Sequence, residues 1–261
     1  MILYFSGTGN TLEVARGIAE ASGESLFDMG AAYKEGRFEV QVGDDDSLGI
    51  AFPTYRWSTP PLVDEFVKKA RFVTASGDAF RPSYCFTVET YGYFRGRESR
   101  YLAELLQKYQ GIAVDSAYAV RSVGNCLYLF DTPGKDAIER VLVSARESTA
   151  KVSARVCARK SGDRVSPNPL GALLSSGTCH EGKKRSVGAF YALPDRCVGC
   201  GTCVSVCPTN TVKIVEGLPR WEGGRCTECL RCVQLCPTGA AQHGKVTEKR
   251  TRYRNPILEE R

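Results

Sequence analysis

The chain begins Met1-Ile2-Leu3-Tyr4-Phe5-Ser6-Gly7-Thr8-Gly9-Asn10-Thr11, and this stretch decides the fold of its first part. The apolar run over residues 1–5 predicts a buried strand, and apolar residues at helical spacing from Thr11 to Ala21 predict a helix directly after it. Glycines in the turn let backbone N–H groups and the positive end of the helix converge on one point. The turn lacks the Rossmann spacing and the P-loop lysine, but its place after the first strand predicts a phosphate cradle.

The same turn offers side chains suited to a phosphate, since hydroxyl and amide groups are hydrogen-bond donors. The residues predicted to bind the phosphate are Ser6, Gly7, Thr8, Gly9, Asn10 and Thr11. A glycine-rich turn without a ligand is the plain alternative, and the position between strand and helix disfavours it.

Strand and helix patterns alternate through residues 1–160. We expect further strands near 25–28, 48–52, 83–89 and 114–120, and helices near 60–70, 97–110 and 135–160. This alternation predicts a parallel sheet with helices on both faces. Five strands fit the doubly wound, flavodoxin-like order 2-1-3-4-5, so the predicted fold class is α/β.

Two later loops are rich in aromatic residues, whereas turns are usually polar. Both follow strands, and ligands of doubly wound sheets bind outside the carboxyl ends of the strands. The opening turn is similar to the FMN phosphate loop of flavodoxins, which implies that the two loops enclose the flavin ring. The implied residues are Pro53, Thr54, Tyr55, Trp57, Thr90, Tyr91, Gly92 and Tyr93. Aromatic residues that merely cap the core are the alternative.

Eight of the twelve cysteines form one pattern written twice, each copy ending in Cys-Pro. The spacing C-x2-C-x2-C-x3-C-P is typical of bacterial ferredoxins with two [4Fe–4S] clusters, in which the fourth cysteine of each run binds the other cluster. The predicted ligands of cluster one are Cys197, Cys200, Cys203 and Cys236. The predicted ligands of cluster two are Cys226, Cys229, Cys232 and Cys207.

Other uses of these cysteines fit less well. Zinc needs only four thiolates per ion and leaves the Cys-Pro endings unexplained. A disulfide framework is typical of small secreted chains, and the opening residues resemble a strand rather than a signal peptide. Clusters and free thiols favour a reducing cytoplasm. No apolar run approaches the ~20 residues of a membrane span.

The net charge of +6 is uneven along the chain. Residues 1–160 hold 20 basic and 20 acidic residues, whereas residues 191–261 hold 11 basic and 7 acidic ones. A basic end is compatible with nucleic-acid binding. However, thiolate-bound clusters carry negative charge that would offset this excess, so charge compensation is favoured. The basic tail at residues 249–254 is either a docking patch for an acidic partner or a solvated end.

The remaining cysteines and histidines have no predicted ligand role. We expect Cys85 and Cys157 to be buried as small apolar residues. Cys126 lies near the carboxyl edge of the sheet and is the one that could approach a flavin. The pair Cys179 and His180 falls in the connector, and His243 is expected at the surface.

Taken together, the chain resembles the fused flavodoxin–ferredoxin proteins of anaerobic bacteria. The resemblance lies in the phosphate loop, in Phe52-Pro53-Thr54-Tyr55, in Thr90-Tyr91-Gly92 and in both cysteine runs. It implies an FMN domain at 1–160 and a two-cluster ferredoxin domain at 191–261. The change in composition at 161–190 predicts a connector between them, which we expect to pack locally through Leu170, Leu173 and Leu174. One departure is residues 121–126, which read RSVGNC where those proteins often carry Met-Pro-x-Asn-Tyr.

The sequence favours an electron relay between two [4Fe–4S] clusters and FMN, serving a partner redox protein. The alternative is an FMN-dependent reductase of a small organic substrate, with Tyr55, Arg56, Tyr91 and Tyr93 as candidate proton donors or anchors. A redox sensor is a third class that no motif supports. The lack of a hydrolytic triad or a nicotinamide-binding motif favours the relay.

Overall fold

The computed structural model describes residues 1–44, 46–176 and 187–260. The strands are β1 (Ile2–Tyr4), β2 (Leu26–Asp28), β3 (Glu39–Gln41), β4 (Leu48–Pro53), β5 (Arg71–Val73), β6 (Cys85–Tyr91), β7 (Ser116–Arg121), β8 (Phe190–Ala192), β9 (Val212–Val215), β10 (Leu218–Trp221) and β11 (Ala241–His243). The α-helices are α1 (Asn10–Ser22), α2 (Met29–Lys34), α3 (Pro61–Lys69), α4 (Glu98–Gln110), α5 (Lys135–Cys157), α6 (Pro169–Ser176), α7 (Thr202–Ser205) and α8 (Arg231–Gln234). Short 3₁₀ helices span Lys245–Lys249 and Pro256–Leu258.

A parallel sheet of five strands organises the first part of the chain. Its order is β2-β1-β4-β6-β7, which is 2-1-3-4-5 when only these five strands are counted. The predicted flavodoxin-like fold class is therefore confirmed. The order reverses beside β1, so the carboxyl ends of β1 and β4 flank the switch point where such sheets bind ligands.

Helices cover both faces of the sheet because its strands are apolar on both sides. Along β1, Ile2 and Tyr4 face a core that includes residues of α1 and α5. Leu3 and the following Phe5 face the opposite core, which includes residues of α2, α3 and α4. The alternation follows from the two-residue period of a strand.

Two features of this part were not predicted. Helix α2 begins after Asp28, whose carboxylate accepts hydrogen bonds from the N–H groups of Gly30 and Ala31 at 2.8 and 3.1 Å. Asp is a favoured N-cap residue, so this signal was present in the sequence. Strands β3 and β5 pair in parallel as a small sheet of their own, and their three-residue length leaves little periodicity to detect.

Helix α6 lies in the segment expected to be a connector. It packs through small residues: a β-carbon added at Gly171 would lie 1.9 Å from the backbone oxygen of Arg95. Leu170 and Leu173 are 49% and 71% exposed, so the expectation that they pack the segment locally is wrong. The side chain of Leu174, the Cys179–His180 pair and the basic residues 183–185 lie outside the described residues.

The cysteine-rich part shows the predicted internal duplication. Helices α7 and α8 occupy equivalent positions in the two runs, about 29 residues apart, and each contains the third cysteine of its run. Strand β8 pairs with β11, and β9 with β10, both antiparallel. Cysteine side chains form much of the core here, together with residues such as Phe190 and Val233. Among the described residues, no helix has the length and apolar character to cross a membrane.

The cysteine-rich part is docked against the sheet. Lys34 Nζ donates to the backbone oxygen of Val204 at 3.2 Å, and Asn210 Nδ2 donates to the backbone oxygen of Lys34 at 2.9 Å. On another side, Gln234 Nε2 donates to the backbone oxygen of Asn125 at 2.8 Å. These bonds fix the cysteine loops relative to the carboxyl edge of the sheet.

Candidate functional site

A cleft opens at the carboxyl edge of the sheet, with an empty volume of about 1090 Å³ that includes its open side. The loops after β1, β4, β6 and β7 form most of its wall. The cysteine-rich part closes it with residues 227–230. We refer to this space as the cleft. All predicted flavin-binding residues line it except Gly9, namely Ser6, Gly7, Thr8, Asn10, Thr11, Pro53, Thr54, Tyr55, Trp57, Thr90, Tyr91, Gly92 and Tyr93.

The loop after β1 is shaped as a cradle. Gly9 has a φ of 100°, which a residue with a side chain rarely adopts, and its N–H donates to Ser6 Oγ at 3.1 Å. A β-carbon added at Gly7 would lie 2.7 Å from the Tyr55 hydroxyl oxygen. The loop leads directly into α1, whose N-terminal end is positive. This geometry fits a phosphate group, although the binding role of each residue stays a prediction.

The side chain of Asn10 is occupied within the protein. Its Nδ2 donates to the backbone oxygen of Val123 at 3.0 Å, and its Oδ1 accepts from the Tyr253 hydroxyl at 2.6 Å. Thr11 Oγ1 lies 2.7 Å from Thr90 Oγ1. These two side chains therefore tie neighbouring loops together, and Thr8 Oγ1 likewise accepts from Asn125 Nδ2. The backbone of the loop and the Ser6 hydroxyl are left as the groups that could bind a phosphate.

The C-terminal tail supports the cradle from behind, which the sequence did not indicate. Asn255 is 0% exposed; its N–H donates to the backbone oxygen of Thr8 at 2.8 Å, and its Nδ2 donates to Glu13 at 2.6 Å. The basic tail residues are also engaged with the protein. Arg252 donates to Gln242 Oε1 at 2.8 Å, and Arg254 pairs with Glu259. The tail is thus a structural strap rather than a solvated end.

The loop after β4 makes a tight turn. Tyr55 and Ser58 exchange backbone hydrogen bonds at 2.9 and 3.0 Å, and the two residues between them, Arg56 and Trp57, have φ values of 50° and 58°. Two consecutive positive φ values are typical of a type I′ turn. The Tyr55 ring packs edge-on against Phe5 with centroids 6.2 Å apart. Burial raises the pKa of Tyr55, so its hydroxyl stays protonated.

The loop after β6 approaches the loop after β7 very closely. A β-carbon added at Gly92 would lie 2.6 Å from Cα of Gly124, and one added at Gly124 would lie 2.4 Å from the Tyr93 ring. Gly124 belongs to the divergent stretch at 121–126, of which residues 122–126 line the cleft. This stretch therefore takes part in shaping the cleft, through contacts with loops that are distant in the sequence.

The mouth of the cleft is apolar. The Tyr93 and Phe130 rings lie 4.6 Å apart between centroids. Tyr93, Phe94, Phe130 and Leu129 are 44%, 39%, 39% and 48% exposed. Large apolar side chains at this exposure form a collar around the opening.

An ion pair joins the loop after β4 to the second cysteine run. Arg56 Nε lies 3.1 Å from Glu228 Oε2, and its guanidinium lies 5.5 Å from the Tyr128 ring centroid. Cys126 lies beside Tyr128, and burial raises the pKa of both side chains. Cys126 therefore reaches the cleft, as the sequence suggested, but as a neutral thiol.

The eight predicted cluster ligands gather around two cavities. Cys197, Cys200, Cys203 and Cys236 line one, with an empty volume of about 340 Å³. Cys207, Cys226, Cys229 and Cys232 line the other, of about 290 Å³. In each case the fourth cysteine comes from the other run, which is the arrangement that the spacing predicts. Cluster binding by these residues stays a prediction.

The second cavity is suited to a positively charged metal group. Burial raises the pKa of Cys226 to about 12 and that of Cys229 to about 11. Ligand thiols must be deprotonated, and metal binding provides the positive charge that makes this favourable. Trp221 Nε1 donates to Cys232 Sγ at 3.4 Å, and Glu228 N–H donates to Cys226 Sγ at 3.3 Å. Such bonds to sulfur stabilise a cluster and tune its potential.

The second cavity and the cleft share one wall. Thr227, Cys229 and Leu230 line both. A β-carbon added at Gly7 would lie 3.2 Å from the backbone oxygen of Cys229, so the phosphate cradle also touches this wall. By contrast, the first cavity lies away from the cleft, and Cys200 is exposed.

Other residues lie differently from their sequence predictions. Cys85 is buried as expected, but Cys157 is exposed, because it lies at the end of α5. His243, expected at the surface, is instead half-buried; its ring lies 4.5 Å from that of Phe190 and 5.1 Å from that of Tyr128. Burial lowers the pKa of His243.

Residues 196–240 match the family model of a 4Fe-4S dicluster domain. The benzylsuccinate synthase activating enzyme of Thauera aromatica is 45% identical over 47 residues, which are 18% of this chain. The chain spans only 14% of the length of that curated relative.

Solved structures align with the sheet part at low identity. Azoreductase AzrA is 11% identical, over 59% of this chain and 99% of that one, with a TM-score of 0.36. A flavodoxin from the domain Archaea is 12% identical, over 58% and 96%, with a TM-score of 0.28. An FMN-dependent NADH-azoreductase from Bacillus anthracis, solved with FMN, is 10% identical, over 60% and 98%, with a TM-score of 0.35.

Strand order and the family match together describe a flavodoxin-like domain fused to a 4Fe-4S ferredoxin-type domain. The match to a 4Fe-4S domain favours iron–sulfur over zinc for the cysteine runs. This combination supports an electron-transfer or redox role for the chain.

Proposed function

We propose that the chain relays electrons within one molecule, between two [4Fe–4S] clusters and an FMN, and exchanges them with a partner oxidoreductase. The observation that carries the proposal is the shared wall. Cys229, a predicted ligand of cluster two, lines the cleft in which the predicted flavin-binding residues meet. A cluster and a flavin on the two sides of one residue would exchange electrons over a short distance.

The residues present fit both kinds of group. Each cavity offers four thiols, and the cradle after β1 offers backbone N–H groups and a helix N-terminus. When bound, a cluster accepts one electron at a time, whereas a flavin accepts one or two. The loops after β4 and β6 would hold the flavin ring.

The exposure of the two cysteine quartets suggests the order in which electrons would pass between a partner, the clusters and the flavin. Cys200 of the first quartet is exposed, whereas Cys207, Cys226 and Cys232 of the second quartet are buried. A partner protein would therefore meet cluster one, and cluster two would connect it to the cleft. Val198 and Ile214, which also line the first cavity, are 67% and 45% exposed and would offer apolar contact to that partner.

Local hydrogen bonds would help to set the potentials. The Trp221 indole donates to Cys232, and Thr209 Oγ1 lies 3.6 Å from Cys207 Sγ. Donors to sulfur favour the more negative, reduced form of a cluster. These hydrogen bonds would tune the reduction potential of the cluster nearest the flavin.

An FMN-dependent reductase of a small organic substrate is the second candidate, and the mouth of the cleft favours it. The exposed apolar collar would hold a planar or apolar molecule, and Arg56 and Tyr128 would supply an anchor and a proton donor. The flavin would then reduce the substrate, and the clusters would reduce the flavin again.

The first test is an anaerobic cofactor count on the reconstituted protein. The relay requires about one FMN and about eight iron atoms per chain. Iron without flavin would refute the FMN site. In loaded protein, stopped-flow mixing with a reductant that reaches the clusters should be followed by flavin reduction. That second phase should not depend on protein concentration, and a rate proportional to protein concentration would contradict an intramolecular relay.

A second measurement separates the relay from the reductase. Reduced protein is mixed with a panel of small organic acceptors and, separately, with oxidised redox proteins. Rapid single-turnover oxidation by one small acceptor, lost in Arg56→Ala, would favour the reductase. Slow reaction with every small acceptor and rapid oxidation by a redox protein would favour the relay.

A further inference from the structure

Two buried glutamates lie behind the cleft, outside the residues assigned above. Glu89 lies near the end of β6, and Glu98 begins α4; both are 0% exposed. Glu89 Oε1 and Glu98 Oε2 have no hydrogen-bond partner within the described part of the chain. Two ionised carboxylates would repel each other here with little water to screen them.

The other oxygen of each carboxyl is held in place. Ser99 Oγ donates to Glu89 Oε2 at 2.5 Å, and Thr54 Oγ1 donates to Glu98 Oε1 at 2.7 Å. Within the described residues, the charged group that faces the pair is Arg95, whose Nε lies 3.8 Å from Glu89 Oε1. One cation beside two buried carboxyls balances one negative charge and favours a single retained proton. In agreement, burial and the Glu98 charge raise the pKa of Glu89, and burial raises that of Glu98.

Thr54 connects this pair to the cleft. It lies directly after β4 and lines the cleft, and its N–H donates to the backbone oxygen of Thr90 at 2.8 Å. Its hydroxyl bonds to Glu98, so the residue stands between the carboxyl pair and the site where the flavin ring is proposed to bind. A hydroxyl can accept one proton while it donates its own.

We propose that Glu89 and Glu98 store one proton and deliver it through the Thr54 hydroxyl to the group reduced in the cleft. The inference rests on the proposed function. A cluster held by Cys229 and its partner cysteines would supply one electron, so the cluster would be oxidised by one electron as the flavin is reduced by one. In the structure Thr54 donates to Glu98, so delivery requires that bond to reverse once Glu98 carries the stored proton. The Glu98 O–H bond would then break as Thr54 Oγ1 takes that proton, and the Thr54 O–H bond would break as its own proton goes to a flavin held in the cleft. Reoxidation returns the proton along the same path.

The arrangement fits a reversible store. The pair gains one negative charge when it gives up its proton, and Arg95 stands beside it to stabilise that charge. The Arg95 side chain is 27% exposed, which gives the pair a polar edge toward solvent through which a lost proton can be replaced. Glu89 and Glu98 act through Thr54, so they are proton-storing residues rather than groups in contact with the flavin.

A purely structural role is the competing explanation. Ser99 in the first turn of α4 bonds to Glu89, and Glu98 is the first residue of that helix, so the two carboxyls also hold the start of α4 in place. Glutamine keeps the size and the acceptor oxygen of glutamate but has no carboxyl proton to give. Glu89→Gln and Glu98→Gln therefore preserve these contacts and remove the store.

The test uses the fully loaded protein at neutral pH, with flavin and iron content measured for every variant. Reduced-minus-oxidised infrared spectra report the C=O band of a protonated carboxyl, and an indicator dye reports protons taken from solvent. Wild type should lose the band on reduction of the flavin. Glu89→Gln and Glu98→Gln should lack it and take up about one more solvent proton per flavin. Thr54→Val should slow the proton-coupled step by about 10²-fold, and Thr54→Ser should restore it.

Asp64→Asn is the matched control, because Asp64 is also buried and accepts a hydrogen bond from a threonine, Thr59, but neither residue lines the cleft. It should leave the band and the proton count unchanged. A flavin-loaded protein whose carboxyl band is missing, or is unchanged on reduction, would overturn the proton store while leaving the relay intact. Protein that binds clusters but no flavin would instead refute the proposed function itself.

Discussion

The two cysteine runs carry different residues at two equivalent positions where the backbone is left-handed. Gly199 and Gly201 of the first run have φ values of 67° and 71°, and the equivalent Glu228 and Leu230 have values of 53° and 55°. A side chain at such an angle costs about 1 kcal/mol or more. The second run carries this cost where it faces the cleft, because Glu228 pairs with Arg56 and Leu230 is buried in the shared wall.

Variants of Glu228 should separate backbone strain from ion pairing. Glu228→Gln removes the charge but keeps the strain, whereas Glu228→Gly removes both. We expect Glu228→Gln to lower the stability by about 1 kcal/mol and Glu228→Gly to recover most of that loss. The measurement is the rate at which cluster absorbance is lost in denaturant. A glycine variant that bleaches faster than the glutamine variant would show that strain at this position is negligible.

The contact between Gly92 and Gly124 predicts a sharp size limit. Because a β-carbon at Gly92 would lie 2.6 Å from Cα of Gly124, Gly92→Ala must push the two loops apart. We expect the dissociation constant for FMN to rise about tenfold or more, which corresponds to ~1–3 kcal/mol of overpacking. Gly134→Ala is the control, since nothing lies within 4 Å of its added carbon and its φ is −63°. Equal FMN affinity in both variants would contradict the close approach.

Among the elements, the C-terminal strap makes contacts with the phosphate cradle that the sequence did not predict. Asn255 bonds to the cradle residue Thr8 and to Glu13, although more than 240 residues separate it from either in the sequence. Asn255→Ala keeps the backbone bond to Thr8 but leaves Glu13 and the Ile257 N–H without their side-chain partner, so we expect a loss of about 2–3 kcal/mol in stability and weaker FMN binding. The neighbouring Arg254→Ala removes only an exposed ion pair with Glu259 and should change stability by less than ~0.5 kcal/mol.

Thermal unfolding of both variants, together with FMN titration, would check the role of the strap. If Asn255→Ala binds FMN as tightly as Arg254→Ala does, the strap stabilises the fold without shaping the cradle. If the two variants also melt at the same temperature, the strap contributes nothing measurable.

Helices and strands that show a clear hydrophobic periodicity could be predicted from the sequence. The five sheet strands and helices α1, α3, α4 and α5 were expected from their periodicity and lie within a few residues of the predicted bounds. Helix α6 and the strap were not predicted, because they are held by contacts with distant loops or by small residues such as Gly171. The β3–β5 pair was not predicted, because strands of three residues show little periodicity. The cysteine spacing predicted which thiols meet, since the crossing ligand is built into its two-run pattern. No local sequence pattern predicts the roles of Asn125, Tyr128 and Asn255.

Over the whole molecule, the buried glutamate pair predicts a pH dependence of stability. Burial, and after it the charge of Glu98, raises the pKa of Glu89 in the folded protein to about 8 from an ordinary value of 4.5. Between these values the folded state binds more protons than the unfolded state, so stability is greatest at the acidic end and falls as pH rises toward 8. Glu89→Gln should flatten this decline. Melting temperatures of both proteins across this range would check it, and parallel curves would exclude a raised pKa at Glu89.

The shared wall also bears on how the protein is assembled and how it fails. Thr227, Cys229 and Leu230 line both the cleft and the cavity behind it, so four thiols tied together by a cluster would also hold the cleft wall in place. Iron–sulfur insertion would then precede flavin binding during maturation. Newly made chains would not bind flavin until the cluster has been inserted. Oxidative damage would follow the reverse order. Oxygen that destroys the buried cluster would also release the flavin, so the protein would lose both cofactors together. No reduced flavin would then remain bound and exposed to air.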